Sequence, residues 1–354
     1  MQKKLDKILV IRLSSLGDII LTTSVLESLK KDLPQSQIYF LTKTQYRDLL
    51  INDPRISGLI EFDPQGRHKG LRGFKRMLDE LKPYHFDLII DLHANLRSFL
   101  IRHLANSKIK IKYKKRWFSR WLIVYLKFFK TKPRKTVDSY LDVLKSIKIE
   151  AQDKTPKLFL GQDDIEFKEE FLLDRRIKKD EIVIGIHPGA RWETKRWDEQ
   201  KFGQVGQALI QKLGCKIILF GDSVEDKIIK DITAYLPVSN MIEALGLPLG
   251  KLASLIQRCD CLITNDSGPM HIAEALQVPV VAIFGPTHPK LGFAPIGQHN
   301  VVLCANVECS PCSLHGERKC HKKTRLCMDL ITADMVVEAV EDLLKKHESV
   351  RKEA

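Results

Sequence analysis

The sequence lacks any apolar run long enough to cross a bilayer. Its N-terminus is also a poor match to a signal peptide, because Arg12 and then Asp18 interrupt the apolar residues that follow the first lysines. We therefore expect a cytoplasmic protein, in a compartment where thiols stay reduced. Short repeats and low-complexity segments are absent as well.

The signatures of several nucleotide-dependent classes are missing. The chain has no Walker sequence, and no GxGxxG follows the first apolar strand of either half, which disfavours a nicotinamide dehydrogenase. No DxD-type acidic pair stands out as a metal site, and no recognised nucleic-acid motif is present.

Size and composition indicate a folded protein of two domains. The chain has 354 residues, which is too long for one ordinary core. Hydrophobic residues make up 44% and charged residues 29%, as in packed globular proteins. Its 58 Lys and Arg outnumber 44 Asp and Glu, so the formal charge is +14. Such a surface suits nucleic acid, an anionic membrane or an anionic substrate, and composition does not choose among them.

Short apolar strands alternate with helical patterns in both halves of the chain. The predicted strands are 7–13, 38–42, 59–63, 86–93, 181–189, 216–221, 261–265 and 278–285. The predicted helices include 19–33, 71–82, 198–213, one from about 224, 249–258 and 331–347. This alternation predicts two similar doubly wound α/β domains with a cleft between them and a linker within 155–181.

Polar residues follow the predicted strand 261–265, in the order Asp266, Ser267, Gly268, Pro269 and His271. Ligands of open α/β sheets bind at the carboxyl ends of strands, and a helix N-terminus favours phosphate. Asp and Ser are also favoured helix caps, so a purely structural role stays open.

A second loop, HPGARWETKRW at 187–197, follows the first strand of the second half. Gly189 and Ala190 lie where the strand opens into the loop, and Lys195 could neutralise a phosphate. The alternative is a solvated basic turn with Trp197 in the core.

A third loop, SSLGD at 14–18, follows the first strand of the chain. Ser15 and Gly17 could approach a diphosphate, and Asp18 could act as a general base facing the cleft. A helix N-terminus would lower the pKa of Asp18, and Asp18 could equally be only a helix cap.

Lysine and arginine alternate with aromatic residues between 108 and 135. That pattern suits an interface with anionic lipid, RNA with bases stacked on the aromatic rings, or a helix with one core face and one basic face. Further along, Cys309, Cys312, Cys320 and Cys327 could bind zinc or an iron–sulfur cluster, or could be reduced thiols that pack a loop.

The chain resembles glycosyltransferase family nine, the lipopolysaccharide heptosyltransferases. The matching segments are KILVIRLSSLGDIILTTSVLESLK, IGIHPGARWETKRW and CLITNDSGPMHIAEALQVPVVAIFGPT, with weaker matches at DLHANLRS and the cysteine-rich tail. The resemblance implies a GT-B fold of two Rossmann-like domains facing a cleft. We expect an acceptor-binding domain at 1–165 and a nucleotide-sugar-binding domain at 166–354, whose last helix could pack back on the first domain.

The resemblance also implies an inverting, metal-independent transfer of heptose from ADP-L-glycero-D-manno-heptose to the Kdo-containing inner core of lipid A or to a partly built, heptosylated core. From the basic stretch 108–135 we also expect peripheral contact with the inner membrane surface. The resemblance assigns the base to Asp18, the donor phosphates to Lys195, and donor binding to Asp266, Ser267, Gly268 and His271. Ser15, Gly17, Gly189 and Ala190 are further expected donor contacts, although Gly189-Ala190 replace a hydroxyl pair found in some members. Arg67, Lys69 and Arg97 would lie near acidic Kdo. No catalytic cofactor is implied, and the cysteines have no catalytic role.

Two rival functions remain. One is a GT-B enzyme that uses another nucleotide-sugar. The other is a nucleic-acid-binding protein that uses residues 108–135. Such a protein would bind nucleic acid in a salt-sensitive way, and Asp18 would have no role. Of the two interpretations we favour the enzyme and expect no nucleic-acid partner.

Overall fold

The computed structural model describes residues 5–127, 134–222 and 225–353, with side chains as far as residue 346. The chain divides into two compact units. The first comprises Met1–Arg116 and Thr136–Gly161, and the second Trp117–Lys135 and Gln162–Ala354. The segment 117–135 therefore groups with the second unit, and the domain boundary at 165/166 stays a prediction.

Each unit is built on one parallel sheet. The first sheet has β1 (Lys7–Ile11), β2 (Gln37–Lys43), β3 (Gly58–Phe62), β4 (Phe86–Asp91) and β5 (Ser107–Lys112), in the order β3-β2-β1-β4-β5. The second has β6 (Val183–His187), β7 (Lys216–Gly221), β8 (Met241–Leu245), β9 (Cys261–Asn265), β10 (Val280–Phe284) and β11 (Asn300–Cys304), in the order β11-β10-β9-β6-β7-β8. The strand order reverses between β1 and β4 and between β6 and β9, so the predicted doubly wound α/β architecture is confirmed.

The helices of the described residues connect these strands. They are α1 (Leu16–Asp32), α2 (Gly70–Leu81), α3 (Leu96–Leu104), α4 (Trp117–Tyr125), α5 (Thr136–Leu141), α6 (Gln162–Asp174), α7 (Glu199–Leu213), α8 (Asp226–Thr233), α9 (Leu249–Arg258), α10 (Gly268–Ala275), α11 (Leu326–Asp329) and α12 (Ala333–Glu353). In the part of the chain that the structure describes, no helix is both long and apolar enough to cross a membrane. The predicted helix start at 224 and residues 128–133 of the basic stretch lie outside the described residues.

The interior strands are largely buried because helices cover both faces of each sheet. β4 and β9 are buried at every position. In the first unit, Met77 of α2 and Ile101 of α3 pack against β1 and β3. In the second unit, α12 packs on α7 and on β9, β10 and β11.

The three strands that sequence patterns did not predict are all edge strands. β5, β8 and β11 each have only one neighbouring strand, and none of them is buried along its whole length. In β5, partly buried residues alternate with exposed lysines along SKIKIK. The helical interpretation of 108–135 is therefore wrong for its first residues, and α4 begins only at Trp117.

Trp197 is the largest fully buried side chain of the second unit, with 1% of its surface exposed. Its ring meets Phe202 edge to face at 4.9 Å, and its indole N–H donates to the Ile331 carbonyl at 3.1 Å. Replacing it by alanine should therefore destabilise the second unit by about 3–5 kcal/mol. Urea denaturation measures the change. Trp117→Ala is the control, because Trp117 is 61% exposed, and an equal effect of both variants would contradict this account.

Candidate active site

Three loops meet at the carboxyl edge of the second sheet, near the point where its strand order reverses. Lys195, in the loop after β6, places its Nζ 2.8 Å from Oδ2 of Asp266, which follows β9. Thr287, after β10, donates its hydroxyl to the same oxygen at 2.6 Å. Both side chains of the ion pair are largely buried. Three loops therefore converge on one ammonium–carboxylate pair at the carboxyl edge of the sheet, where ligands of such sheets bind.

Helix α10 begins beside this pair. Ser267 occupies the N-cap position, but its side chain makes no capping bond, and its hydroxyl lies 3.1 Å from that of Thr264. Gly268 is the first helical residue, and Pro269 lies in the first turn. A helix start that its own side chains do not cap offers backbone N–H groups and a partial positive charge to an anion.

His271 lies one turn into α10 and is buried. Its Nδ1 is 3.4 Å from Oε2 of Glu274. Glu274 also accepts hydrogen bonds from the backbone N–H groups of Ile296 and Gly297. Glu274 therefore ties His271 to the loop before β11, which leaves Nε2 as the nitrogen that could meet a ligand.

A side chain at Gly189 would displace the carboxylate of Glu225. A Cβ there would lie 2.1 Å from Oε1 of Glu225, a buried residue after β7 whose carboxylate also accepts the N–H of Asp222 at 3.0 Å. Sequence analysis missed Glu225, although its place after a predicted strand was a signal. Nearby, Asn265 donates its amide to the Pro188 carbonyl at 2.6 Å and so fastens the loop after β6 to β9.

A loop from the C-terminal region holds the Lys195 loop in place. Thr194 and Glu317 exchange backbone and side-chain hydrogen bonds at 2.8–3.1 Å. Gly316 lies against the Lys195 side chain with a φ of +96°, and a Cβ there would be 2.8 Å from Lys195 Cδ. Lys195 is thus positioned by the cysteine-rich segment.

The four candidate metal-ligating cysteines, Cys309, Cys312, Cys320 and Cys327, line one pocket of this segment. All of them are free thiols. Across residues 5–127, 134–222 and 225–353, no group of three or more His, Cys, Asp or Glu side chains is placed to hold a metal ion. The thiols therefore gather at one place without forming the ligand set of a structural metal.

In the first unit, Asp18 lies in the first turn of α1 and is held by three side chains. Arg12 places a guanidinium nitrogen 2.5 Å from Oδ2, Ser15 donates its hydroxyl to Oδ2 at 2.8 Å, and Tyr140 donates to Oδ1 at 2.7 Å. Burial raises the pKa of Asp18, but Arg12, Tyr140 and Ser15 outweigh it and lower that pKa to about 2. The carboxylate is therefore ionised at any physiological pH.

The hydrogen bonds around Asp18 include the predicted donor contact Ser15 and two residues that sequence analysis missed, Arg12 and Tyr140. Ser15 is bonded to Asp18, and Gly17 lies in the same first turn of α1. Arg12 and Tyr140 were not recognised. Arg12 stands within an otherwise apolar run, and an Arg that a strand carries to the carboxyl edge was a usable signal. Tyr140 lies 122 residues from Asp18 in the chain, and no local pattern indicates their contact.

The ionised Asp18 should stabilise the first unit at neutral pH. Its pKa is about 2, against 3.8 for an unperturbed aspartate, which corresponds to about 2 kcal/mol. An aspartate whose pKa is lower in the folded than in the unfolded protein stabilises the fold at pH values above its unfolded pKa. The contribution of Asp18 is therefore complete above about pH 5 and is lost as the pH falls through 2. Urea denaturation of wild type and Asp18→Asn should show a stability gap at pH 7 that shrinks by roughly half at pH 3; a gap independent of pH would contradict the assignment.

The three predicted acceptor residues lie in the loop after β3 and in the first turn of α3. Arg67 donates to the Glu61 carbonyl at 3.2 Å, and the guanidinium of Arg97 lies 5.9 Å from the centre of the Phe62 ring. Lys69 is the N-cap residue of α2. All three basic residues are exposed, so the first unit presents a basic surface beside the carboxyl end of β3.

Comparison with known proteins places the chain among glycosyltransferases. The sequence model of the family described as "Glycosyltransferase family 9 (heptosyltransferase)" matches residues 74–323. Lipooligosaccharide heptosyltransferase 2 of Campylobacter jejuni subsp. jejuni serotype O:6 is 27% identical over 93% of this chain and 96% of its own. The crystal structure of a family 9 glycosyltransferase from Veillonella parvula DSM 2008 is 27% identical, with a TM-score of 0.82 over 98% of this chain and 99% of its own.

The structure of the E. coli ADP-heptose lps heptosyltransferase II is 23% identical and superposes with a TM-score of 0.75 over 97% of this chain and 99% of its own. These likenesses confirm the predicted GT-B fold class of two Rossmann-like domains. They also confirm the resemblance on which the sequence analysis relied.

Proposed function

The chain belongs to glycosyltransferase family 9, the heptosyltransferases, and we propose that it transfers heptose from ADP-L-glycero-D-manno-heptose to the inner core of lipopolysaccharide, with inversion at the anomeric carbon. The single observation that carries this proposal is the convergence of Lys195, Asp266 and the N-terminus of α10 at one switch point of a Rossmann-like sheet. That arrangement suits a nucleoside diphosphate.

We assign the donor to the second unit. Its diphosphate would meet Lys195 and the N–H groups at Gly268, with Ser267 and the Nε2 of His271 as further polar contacts and Gly189 and Ala190 allowing close approach. Asp266 and Glu225 are carboxylates that suit ribose or sugar hydroxyls. Ser15 and Gly17 of the first unit stay proposed donor contacts.

We assign proton removal to Asp18. As the acceptor oxygen forms its bond to the anomeric carbon, its proton passes to Asp18, and the bond between that carbon and the ADP oxygen breaks. Lys195 and the backbone dipole of α10 stabilise the departing diphosphate, which is work that a divalent metal does in other enzymes. The proposed reaction therefore needs no metal cofactor.

The proposed acceptor is an anionic glycolipid of the inner core. The basic surface formed by Arg67, Lys69 and Arg97 suits the carboxylates of Kdo. On α4, Trp117 and Phe118 are 61% and 63% exposed among neighbouring basic residues. Exposed aromatic rings with basic neighbours favour peripheral contact with anionic lipid, so we place the protein at the cytoplasmic face of the inner membrane.

A donor panel tests this proposal. Purified protein is incubated with a Kdo-lipid A acceptor and ADP-heptose, UDP-, GDP- or ADP-hexoses in excess chelator, and release of the nucleoside diphosphate is followed. We expect turnover with ADP-heptose and no loss of rate with chelator. Turnover with another nucleotide-sugar instead would favour the alternative GT-B enzyme, and a strict magnesium requirement would remove the metal-free scheme.

A further inference from the structure

Helices α2 and α3 cover the same face of the first sheet. Met77 of α2 and Ile101 of α3 belong to one buried cluster with Leu9 and Ile11 of β1. Because Leu9 and Ile11 are two positions apart in a strand, they point to the same face. The two helices follow the parallel strands β3 and β4, so both begin at the carboxyl edge of the sheet. The loop that carries Asp18 follows β1 at the same edge.

The first turns of the two helices approach each other at Phe62, the last residue of β3. The Phe74 ring of α2 meets the Phe62 ring edge to face at 6.4 Å, and the Arg97 guanidinium of α3 lies 5.9 Å from its centre. Leu71 lies one turn before Phe74, and Leu96 is next to Arg97 in the chain. Leu71 and Leu96 therefore belong to one surface of the first unit, the α2–α3 surface.

Both leucines of the α2–α3 surface point into solvent. Leu71 is 91% exposed and Leu96 is 74% exposed, and Phe99, one turn after Leu96, is 44% exposed. Single exposed apolar residues are ordinary, but several at one edge of a protein indicate an interaction surface. Packing does not account for leucine at these two positions, because the core covers little of either side chain.

Positive charge accompanies these leucines. Four exposed basic side chains lie within four residues of one leucine or the other in the chain: Arg67, Lys69, Arg72 and Arg97. Within the part of the chain that the structure describes, none of the four forms an ion pair. Neither helix has an acidic residue in its first turn, and the helix dipole disfavours cations at a helix N-terminus. An anionic partner would offset this unfavourable arrangement.

We propose that the α2–α3 surface docks on an anionic lipid bilayer, with Leu71 and Leu96 inserted among the headgroups and the basic side chains beside them facing lipid phosphates. A protein partner would need a continuous apolar centre to its interface, whereas each leucine here has basic neighbours. The headgroup region of a bilayer takes up apolar side chains and binds cations at the same depth. The exposed rings of α4 form a different surface, in the second unit.

This inference deepens the proposed function and rests on it, because it concerns an acceptor that is carried by a lipid. Docking through the first turns of α2 and α3 brings the bilayer to the edge of the first sheet at which the Asp18 loop lies. The sugar of a membrane-bound acceptor then reaches that edge while its lipid stays in the bilayer.

Vesicle sedimentation with the full chain tests the proposal. Wild type should bind vesicles of phosphatidylglycerol and phosphatidylcholine, and should bind vesicles of phosphatidylcholine alone far more weakly. The double variant Leu71→Ser/Leu96→Ser should bind the anionic vesicles about tenfold more weakly, because it loses two apolar side chains from the interface. Leu173→Ser is the matched control, since Leu173 is 77% exposed on α6 beside acidic residues, and it should bind like wild type. The melting temperature should be the same in all of these proteins.

Undiminished binding of the double variant to anionic vesicles would overturn the proposal and leave the membrane contact to α4. Equal binding of wild type to both kinds of vesicle, or to neither, would also overturn it. So would self-association of wild type that the double variant abolishes, in the absence of vesicle binding, because it would assign the surface to a second copy of the chain. The assay contains neither nucleotide-sugar nor glycolipid, so a failure of heptose transfer would refute the proposed function and leave this result standing.

Discussion

Replacing Asp18 by asparagine is expected to lower kcat by roughly 10²–10⁴-fold, the usual contribution of a general base, while ADP affinity stays unchanged. Asparagine keeps the size of the side chain, but its one amide oxygen cannot accept the hydrogen bonds of both Ser15 and Tyr140, and it cannot take the proton of the acceptor hydroxyl. Stopped-flow or coupled measurement of ADP release gives kcat, and calorimetry gives ADP affinity. Tyr140→Phe is an informative companion, because it removes one hydrogen bond to Asp18 and leaves the base in place.

The low pKa of Asp18 determines how the turnover rate should depend on pH. Because that pKa is about 2, Asp18 is fully ionised from pH 5 to 9 and should produce no acidic limb in the rate profile over that range. A carboxylate of low pKa is a weak base, so its contribution depends on close placement against the hydroxyl. Normal turnover in Asp18→Asn would contradict the assignment and reduce Asp18 to a partner of Arg12 and a helix cap.

Replacing Lys195 by alanine is expected to lower kcat/KM by about 10²–10³-fold, the scale found when one preorganised group is removed from developing negative charge. The loss has two causes. The diphosphate loses its ammonium partner, and Asp266, which Lys195 neutralises at 2.8 Å, becomes an unpaired carboxylate beside it. Both donor affinity and kcat should therefore fall, since the charge of the diphosphate grows as the sugar departs.

Two further variants test this explanation. One is a control lysine, and the other is a double variant that separates the two causes. Lys212→Ala removes an exposed lysine that pairs with Glu341 at 3.1 Å, and it should leave kcat/KM unchanged. Lys195→Ala combined with Asp266→Asn should recover part of the lost donor affinity, because the repulsive carboxylate is gone. A Lys195→Ala enzyme with wild-type kcat/KM would remove the proposed donor site.

Much of this fold could be predicted from sequence because interior parallel strands are continuous apolar runs. β1, β4, β6, β9 and β10 are largely apolar, and their carboxyl ends lead into the loops of the candidate site. β5 and β8 escaped prediction because charged residues on the exposed side of these edge strands interrupt their apolar residues. β11 contains the apolar run VVLC and was not recognised. In β5 the alternation of lysine and isoleucine was visible, but the whole stretch 108–135 was interpreted as a lipid or RNA interface or as a helix with one core face and one basic face.

The candidate site was predictable as a set of loops but not as a set of contacts. The residue types of the 187–197 and 266–271 loops indicate anion binding, and the reversal of strand order places those loops side by side. The Lys195–Asp266 pair depends on β6 and β9 being neighbours, which no local pattern encodes. The same limit applies to Tyr140 with Asp18 and to Glu225 with Gly189, whose partners are distant in the chain.

The most direct test of the central claim is the product of a single reaction. Wild-type protein, ADP-heptose and a Kdo-lipid A acceptor are incubated, and the lipid is analysed by mass spectrometry and by NMR of its anomeric protons. We predict that exactly one kind of product forms, the acceptor carrying added heptose with the anomeric configuration opposite to that of the donor. An unmodified acceptor with intact ADP-heptose, or a product that retains the donor configuration, would contradict the account.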